Sequence, residues 1–323
     1  MIISASRRTD IPAFYTEWFM RRIHEGFCTM VNPFNRNQVS YISLKPEDVD
    51  VIIFWTKNPA PLLPYLSDLD RKGYKYYFQY TINGYGPIFE SHVPNLADAV
   101  STFKELSKRI GPEKVIWRYD PIVLSNRTGI DYHKKQFQTI LDELKSFTRR
   151  TVISVVDDYR KASFNFKRLQ QTGIHIDMIH DTRVISDLLH FMKQATDDAG
   201  TDIYSCAEVL DFTEYGISAG KCVDDNLIRD IFSIDVSKVK DKSQRQECGC
   251  VVSKDVGQYE TCFHDCAYCY AGTSQQARRN KEQHNPESPS LLGWYHAEPK
   301  TETKKKKAAK AKPVGTIALF DKE

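Results

Sequence analysis

The sequence predicts an α/β fold built on a parallel sheet of about six strands. Two observations lead to this prediction. Short runs of β-branched and aromatic residues alternate with segments of helical spacing, which is the order of a parallel sheet covered by helices. Polar or charged residues also follow each of these runs, at the edge where α/β proteins bind ligands.

Six runs have the composition of buried strands. They are Ile2–Ala5, Val51–Thr56, Tyr76–Thr81, Val115–Tyr119, Val152–Val156 and Asp202–Tyr204. Two further runs, Thr29–Asn32 and Gln38–Leu44, flank the segment PFNRN and predict a small hairpin outside the alternating order.

Apolar stripes at helical spacing separate most of the strands. The stripes are Tyr15, Trp18, Phe19 and Ile23; Leu96, Val100, Phe103 and Leu106; Phe137, Ile140, Leu141, Leu144 and Phe147; and Leu188, Leu189, Met192, Ala195 and Ala199. Gly111-Pro112 ends the second stripe and Gly200 ends the fourth. We interpret all four as core faces of helices.

The composition excludes several classes of protein. Of 323 residues, 41% are hydrophobic and 12% aromatic, which excludes a chain that is disordered throughout. No apolar run approaches the roughly 20 residues that span a bilayer, so we expect no membrane partner. No secretory signal follows Met1, and we therefore expect a cytoplasmic protein.

The charge is unevenly distributed. Residues 1–299 carry a net charge of −2, residues 300–312 carry +6, and the whole chain carries +3. A body so close to neutrality lacks the basic surface of a general nucleic-acid binder. We expect a single domain over residues 1–298, which includes a cysteine-rich region at 206–271. Residues 299–323 are expected to form a Lys-rich flexible tail with a short apolar end.

The most specific motif is CFHDCAYC at 262–269, in which Cys262, Cys266 and Cys269 have the spacing C-x3-C-x2-C. Three thiolates on one loop can hold three irons of a 4Fe-4S cluster and leave the fourth iron without a protein ligand. That iron can bind S-adenosylmethionine, whose reductive cleavage releases a 5′-deoxyadenosyl radical. The alternative is a closed zinc site that takes His264 as its fourth ligand.

These cysteines resemble the radical S-adenosylmethionine superfamily, in which the aromatic residue at the place of Tyr268 lies beside the adenine. The segments SRRTDIPAFY (6–15), FWTKNP (54–59) and TCFHDCAYCYA (261–271) resemble an uncharacterised bacterial family with a carboxyl-terminal radical S-adenosylmethionine-type cysteine cluster. SRRTD and TKN are more weakly similar to the spore photoproduct lyase branch. The resemblance implies oxygen sensitivity and an electron donor such as flavodoxin or ferredoxin.

The position of the motif is inverted relative to that superfamily, which places its cysteine loop after the first barrel strand. Here the loop follows the run Asp255–Thr261. The resemblance therefore implies a partial (β/α)6 TIM-type barrel, circularly permuted so that the cluster loop follows the last strand. In that arrangement Asp255–Thr261 pairs beside Ile2–Ala5. Neighbouring chain ends make a permutation of this kind physically cheap.

The same region contains four other cysteines, which is the number of thiolates that a second 4Fe-4S cluster or a structural zinc ion requires. They are Cys206, Cys222, Cys248 and Cys250. Cys206 lies at a strand tip, and Cys248 and Cys250 precede the run that leads to the motif. We predict a shared metal site for the four, with iron–sulfur favoured over zinc. The alternative is four separate buried thiols.

Charged residues gather at the strand tips. They are Arg7, Arg8 and Asp10 after the first strand, Lys57 after the second, Arg118 and Asp120 at the fourth, Asp157 after the fifth and Glu208 after the sixth. We predict catalytic roles for Arg8, Asp10, Lys57, Arg118 and Asp120. We predict cofactor binding for Tyr268, Arg7, Lys57, Asp157 and Glu208. We expect Tyr80, Trp117 and Tyr119 to wall the cavity and exclude water.

The residue types support these assignments. Arginine forks suit carboxylate or phosphate groups, and Lys57 suits a cofactor carboxylate. Asp157 and Glu208 suit ribose hydroxyls or an amine. Asp157 also suits a helix cap, and Arg118 and Asp120 can pair with each other.

The leading hypothesis is a radical S-adenosylmethionine enzyme acting on an unknown substrate. One alternative is a zinc-stabilised nucleic-acid-binding module to which the Lys-rich tail adds affinity. The other is a DNA or nucleotide repair lyase resembling spore photoproduct lyase.

Overall fold

The structure is a computed structural model that describes residues 1–33 and 35–299. The predicted Lys-rich tail lies, from residue 300 onward, outside the described residues. No helix in the described part of the chain has both the length and the apolar character needed to cross a membrane.

Twelve strands occur in the described residues. In chain order they are β1 (Ile2–Ala5), β2 (Phe27–Asn32), β3 (Asn35–Ser43), β4 (Val51–Thr56), β5 (Tyr76–Thr81), β6 (Val115–Ile122), β7 (Leu124–Ser125), β8 (Arg150–Val155), β9 (Ile176–Asp177), β10 (Asp202–Cys206), β11 (Ser218–Gly220) and β12 (Lys254–Asp255).

The α-helices of the described residues are α1 (Ile11–Phe14), α2 (Thr16–Glu25), α3 (Leu66–Arg71), α4 (Leu96–Ile110), α5 (Ile130–Leu144), α6 (Arg160–Gln171), α7 (Ser186–Asp198), α8 (Asp225–Phe232) and α9 (Ser274–Lys281). Short 3-10 helices span Pro46–Asp48, Ala60–Tyr65, Pro112–Lys114, Thr182–Val184 and Thr213–Tyr215.

Eight strands form one sheet in the order β11-β10-β8-β6-β5-β4-β1-β12. Every neighbouring pair in it is parallel, so all the carboxyl ends lie along one edge. The sheet is open, because β11 and β12 end it without pairing with each other. The predicted α/β class with a parallel sheet is confirmed, and all six predicted strands are in this sheet.

Strand β12 lies beside β1, with Ile3 opposite Lys254 and Ser4 opposite Asp255. The pairing agrees with the sequence prediction, but the predicted strand Asp255–Thr261 is wrong in its length, because only Asp255 of that run is in β12. The chain turns away after this residue because the Asp255 carboxylate accepts from the backbone N–H of Gly257 (2.9 Å).

The two faces of the sheet bury different residues, since neighbouring side chains in a strand point to opposite faces. One face packs on the helices, and Phe54, Trp117 and Tyr119 lie there. On the other face Ile53 and Ile116 pack with a buried group that includes Cys222, Cys248 and Cys250. Three of the clustered cysteines thus lie, together with Ile228 of α8, on the sheet face opposite to the one that packs on the larger helices.

The four predicted stripes lie on α2, α4, α5 and α7, and most of their residues are buried. Gly111 follows the last residue of α4, as predicted. The predicted hairpin is also present, with β2 antiparallel to β3. Helix α6 was not predicted, because its sequence RKASFNFKRLQQ is mostly polar.

Candidate functional site

A cavity of about 480 Å³ lies at the carboxyl ends of the parallel strands. Seven of the eight cysteines line it: Cys206, Cys222, Cys248, Cys250, Cys262, Cys266 and Cys269. The eighth, Cys28, is buried in the core in strand β2. The fold therefore brings both predicted cysteine sets to the same cavity.

The segment Cys262–Cys269, here called the cysteine loop, is fixed by backbone hydrogen bonds to the segment that follows β5. Ala267 N–H donates to Phe89 O (2.8 Å), and His92 N–H donates to His264 O (3.1 Å). At the start of the loop, the Tyr15 hydroxyl donates to Thr261 O (2.7 Å). These bonds hold the loop against the strand tips although strand β12 ends seven residues before Cys262.

His264 attaches the cysteine loop to the tip of β1. Its Nε2 lies 2.7 Å from Asp10 Oδ2, and its Nδ1 lies 3.3 Å from His92 O. Both residues of the pair are buried. Both ring nitrogens are thus engaged, and His264 could ligate zinc only by giving up one of these contacts. This geometry disfavours the closed zinc site considered from the sequence.

Burial disfavours the thiolate form of the three cysteines in the cysteine loop. Burial raises the pKa of Cys262, and the neighbouring Cys269 and Asp10 raise it further. Burial also raises the pKa values of Cys266 and Cys269. Lys57 acts in the opposite direction on Cys266, because its ammonium favours the thiolate. A metal centre bound here would therefore displace protons from the thiols.

Lys57 and Tyr268 belong to one buried network. Lys57 Nζ donates to Glu90 Oε1 (2.7 Å), and the Tyr268 hydroxyl donates to the same oxygen. Asn83 Nδ2 lies 3.0 Å from the Tyr268 hydroxyl. Burial would raise the pKa of Glu90, but Lys57 and these hydrogen bonds hold it below its ordinary value. The network fixes the ring of Tyr268 in the cavity wall, next to Cys266.

The second set, here called the four-thiol set, consists of Cys206, Cys222, Cys248 and Cys250. Cys206 Sγ and Cys222 Sγ are 3.1 Å apart. The hydrogen bond from Cys222 and the charge of Arg118 lower the pKa of Cys206 to about 7, although burial opposes this. Hydrogen bonds from Cys222 and Cys248 likewise lower the pKa of Cys250. The pKa values of Cys206 and Cys250 are thus lowered, whereas those of Cys222 and Cys248 are raised.

The sheet holds this set in place. The Tyr77 hydroxyl and Gln79 Nε2 both donate to Cys222 O, at 2.6 and 3.1 Å. Arg118 Nη1 lies 2.9 Å from Cys222 Sγ. Arg118 also pairs with Asp120 (Nε to Oδ2, 2.9 Å), which was the simplest expectation for these two residues.

The remaining predicted residues are placed as follows. Arg7 and Arg8 line the cavity, with their guanidinium carbons 5.0 Å from the Trp55 ring and 5.2 Å from the Tyr259 ring. Asp157 lines it as well and pairs with Arg245. Glu208 Oε1 accepts from Val155 N–H (2.9 Å) and so joins the tips of β10 and β8. Burial raises the pKa of Glu208 to about 8.

The predicted aromatic wall is wrong. Tyr80, Trp117 and Tyr119 are fully buried on the helix-covered face of the sheet. The reason is the alternation along β6, where Arg118 lines the cavity and its two neighbours therefore point away. The aromatic residues that do line the cavity are Trp55, Tyr159, Tyr259, Tyr268 and Tyr270.

Three contributors were not singled out from the sequence. Asn83 lies in the segment INGYG that follows β5, so its position at a strand tip was a usable signal. Glu90 lies nine residues beyond β5, and Arg245 lies outside the strand-tip segments. Only the folded chain brings Glu90 to Lys57 and Arg245 to Asp157.

The two cysteine sets differ from a site for a single metal ion. In the described part of the chain, no group of three or more His, Cys, Asp or Glu side chains is arranged to hold a single metal ion. The donor chemistry nevertheless fits two centres, with three thiols on one loop and four thiols in a connected set. A second observation supports a metal centre at the four-thiol set. Arg7 Nη2 is buried in the same cavity and lacks a hydrogen-bond partner among the described residues, so it is a donor that a bound centre could use.

The fold and the site define a parallel α/β protein with two cysteine sets in one cavity at its strand tips. Residues 2–271 match the model of a family described as "Domain of unknown function (DUF1848)", and the chain belongs to that family.

No curated protein matches the chain. The similar solved structures include a protein described as a putative alpha-L-fucosidase from Bacteroides thetaiotaomicron VPI-5482. It is 13% identical, the match covers 52% of this chain and 68% of that one, and the TM-score is 0.26. A likeness this low carries no argument about fold or function.

Proposed function

We propose that the chain is a radical S-adenosylmethionine enzyme that acts on a substrate still to be identified. The observation that carries this proposal is the placement of Cys262, Cys266 and Cys269 in one cavity with the charged strand tips. When bound, a 4Fe-4S cluster and S-adenosylmethionine would supply reductive cleavage to a 5′-deoxyadenosyl radical.

We further propose that the sheet corresponds to a partial (β/α)6 TIM-type barrel in permuted order. The parallel pairing of β12 with β1 supports this, because it puts the strand before the cysteine loop beside the first strand of the chain. The order β1-β4-β5-β6-β8-β10 then follows the chain across the sheet. In this arrangement β12 acts as the first strand of the barrel, and the cysteine loop follows it.

The chain's own residues would prepare the cavity. The Asp10–His264 pair positions the cysteine loop, and Lys57 offers positive charge beside Cys266. Tyr268 presents a ring that is fixed by Glu90, as a surface for an adenine. Arg8 is the guanidinium that we assign to a carboxylate or phosphate of a bound ligand. Surrounding aromatic residues exclude water from the reacting atoms.

We assign the four-thiol set to a second metal centre, a 4Fe-4S cluster in preference to zinc. It would pass electrons or bind substrate beside the first centre. The electron donor that we propose is a flavodoxin or ferredoxin. We place the protein in the cytoplasm, where thiols stay reduced.

Anaerobic reconstitution with iron and sulfide tests the proposal. The wild type is compared with the triple variant Cys262→Ala/Cys266→Ala/Cys269→Ala, and Cys28→Ala serves as a matched control because Cys28 lies outside the cavity. We expect about eight irons in the wild type and in the control, and about four in the triple variant. We expect dithionite to release 5′-deoxyadenosine from S-adenosylmethionine with the wild type and the control, and not with the triple variant.

The other outcomes are equally informative. About four irons in the wild type and none in the triple variant would keep the radical enzyme and remove the second iron–sulfur centre. Zinc in place of iron, without 5′-deoxyadenosine, would contradict the enzyme and leave the zinc-stabilised binding module.

A further inference from the structure

We propose that Arg7 is a positioning residue for the second metal centre, and that its buried Nη2 donates a hydrogen bond to a sulfur of the metal-loaded four-thiol set. The inference rests on the proposed function and deepens it. It changes the role expected for Arg7 from the sequence, which was cofactor binding through a carboxylate or phosphate group.

The first observation is the location of Arg7. Its backbone N–H donates to Asp255 Oδ2 (2.9 Å), which fixes the main chain at the junction of β1 and β12. Its guanidinium stacks over Trp55 at 5.0 Å. The side chain lines the cavity together with all members of the four-thiol set. It is therefore held at two points, with its guanidinium in the same cavity as the four thiols.

The second observation is an unused donor. Arg7 Nη2 is buried, and no described residue accepts a hydrogen bond from it. A buried donor without an acceptor destabilises the protein, because the group has lost its hydrogen bonds to water and gained none in return. Arg118, the other guanidinium at these thiols, already donates to Cys222 Sγ and Gln79 Oε1. Of these two side chains, Arg7 is thus the one with a guanidinium nitrogen that has no hydrogen-bond partner among the described residues.

The third observation is charge. Burial alone would lower the pKa of Arg7, but Cys250, Cys222 and Asp255 raise it above its ordinary value. No carboxylate forms a side-chain ion pair with Arg7 within the described residues, whereas Asp120 neutralises Arg118. Four thiolates around a metal centre leave excess negative charge, and an unpaired guanidinium compensates it.

The consequence follows from how protein surroundings act on metal centres. Hydrogen bonds to the sulfurs and nearby positive charge raise the reduction potential of an iron–sulfur cluster. Partners outside the ligand set also strengthen metal binding, and their loss typically weakens it about 10-fold to 100-fold. Arg7 should therefore affect both the potential and the retention of the second centre.

The test isolates that centre in the full-length chain. In the background Cys262→Ala/Cys266→Ala/Cys269→Ala, only the four-thiol set remains to hold a cluster. We compare Arg7→Gln and Arg7→Lys with Arg8→Gln, which changes the neighbouring arginine that stacks on Tyr259 instead. After anaerobic loading with ferrous iron and sulfide, metal loss to EDTA is timed and the midpoint potential is titrated.

We expect Arg7→Gln to weaken metal retention about 10-fold to 100-fold and to lower the midpoint potential. Arg7→Lys should give a smaller change of the same sign, because it keeps the charge and loses the fork. Arg8→Gln should match the background. If Arg7→Gln does not fold, as judged by circular dichroism of the metal-free chain, Arg7→Lys decides the question.

Two results would overturn the inference, and they are distinguishable. Equal retention and equal potential in the Arg7 and Arg8 variants would reject the role of Arg7 and leave the proposed function intact. A background chain that holds no metal while Arg7 is present would reject the second metal centre, and the inference with it. If the background holds zinc, EDTA-dependent loss still decides for or against Arg7.

Discussion

At the scale of single residues, Asp10 serves three neighbours with one carboxylate. Oδ1 accepts from Ala13 N–H (2.9 Å) and caps helix α1. Oδ2 accepts from Lys57 N–H (2.7 Å) and faces His264 Nε2. The tips of β1 and β4 and the cysteine loop therefore all depend on a single buried side chain.

We expect Asp10→Asn to loosen the cysteine loop while keeping the cap. The amide oxygen can still accept from Ala13, since Asn is as good a cap as Asp. The NH₂ group of the asparagine would then replace Oδ2, which now accepts from Lys57 N–H and faces His264 Nε2. Because an NH₂ group cannot accept these contacts, the free energy of unfolding should fall by about 1–3 kcal/mol. Urea unfolding of the metal-free chain measures this.

The control for that change is Asp157→Asn, whose ion pair with Arg245 is partly exposed and should contribute at most about 1 kcal/mol. Equal losses in the two variants would show that Asp10 has no special role in anchoring the loop.

His133 predicts a pH dependence of stability. Its Nε2 donates to Val123 O (3.0 Å), and its Nδ1 lies 2.7 Å from the Tyr119 hydroxyl, which can donate to a neutral ring. Burial lowers the pKa of His133 from 6.5 to about 4. As the pH falls, the unfolded chain takes up the proton first. The stability that the neutral ring contributes is complete above pH 6.5 and is lost between 6.5 and about 4.

We expect the free energy of unfolding to fall by about 2 kcal/mol more in the wild type than in His133→Gln between pH 7 and pH 5. Urea unfolding at the two pH values gives this difference, and groups that titrate in both chains cancel in it. Parallel pH profiles would mean that His133 titrates alike in the folded and unfolded chains.

At the scale of elements, strand β12 is only two residues long and depends on Asp255 for its attachment. Asp255 accepts from the hydroxyls of Ser4 (2.9 Å) and Ser6 (2.7 Å), and from the backbone N–H groups of Arg7 and Gly257. Four donors on one carboxylate replace the ladder that a longer strand would have formed.

We expect Asp255→Ala to release β12 from β1 and to lower the free energy of unfolding by about 2–3 kcal/mol, since hydrogen bonds to a charged group are lost. Hydrogen exchange at Val256 N–H, which donates to Ser4 O (3.0 Å), should speed up. Lys254→Ala is the matched control, because Lys254 is the exposed residue of the same strand. Exchange that is unchanged in Asp255→Ala would show that the backbone pairing suffices.

The elements differ in how well the sequence predicted them. Strands β1, β4 and β5 were predicted to the residue, because strands buried on both faces are continuous apolar runs. The two-residue β12 was overestimated, since Val256–Thr261 has strand-like composition and the capture of Gly257 by Asp255 is a tertiary effect. Helix α6 was missed because its sequence is mostly polar, and helices α3, α8 and α9 were also not among the four predicted stripes.

At the scale of the whole molecule, the distribution of charge along the chain predicts how the protein binds nucleic acids. Residues 1–299 carry a net charge of −2, and seven lysines lie in 300–312. We expect DNA binding by the full chain to weaken steeply with salt and to disappear when residues 300–323 are deleted. Fluorescence anisotropy with a labelled duplex at two salt concentrations tests this. Tight, salt-dependent binding by the truncated chain would favour the repair lyase.

Most of the cysteines and charged residues of the cavity were predictable from the sequence, but its aromatic residues were not. Spacing identified Cys262, Cys266 and Cys269, and the rule that ligands bind at the carboxyl ends of strands identified Lys57 and Asp120. Glu90 could not be recognised from the sequence, because its partner Lys57 lies 33 residues away and only the fold joins them. The Trp117 side chain points to the face of the sheet on which the larger helices pack, and the sequence does not show which face that is.

The pairing of β1 with β12 also determines when the cavity can form during synthesis of the chain. Strand β1 is synthesised about 250 residues before its neighbour β12. Until β12 follows, β1 has β4 on one side and an unpaired edge on the other, and the cysteine loop has not been synthesised. The cavity at the strand tips therefore cannot form until β12 and the cysteine loop have both left the ribosome.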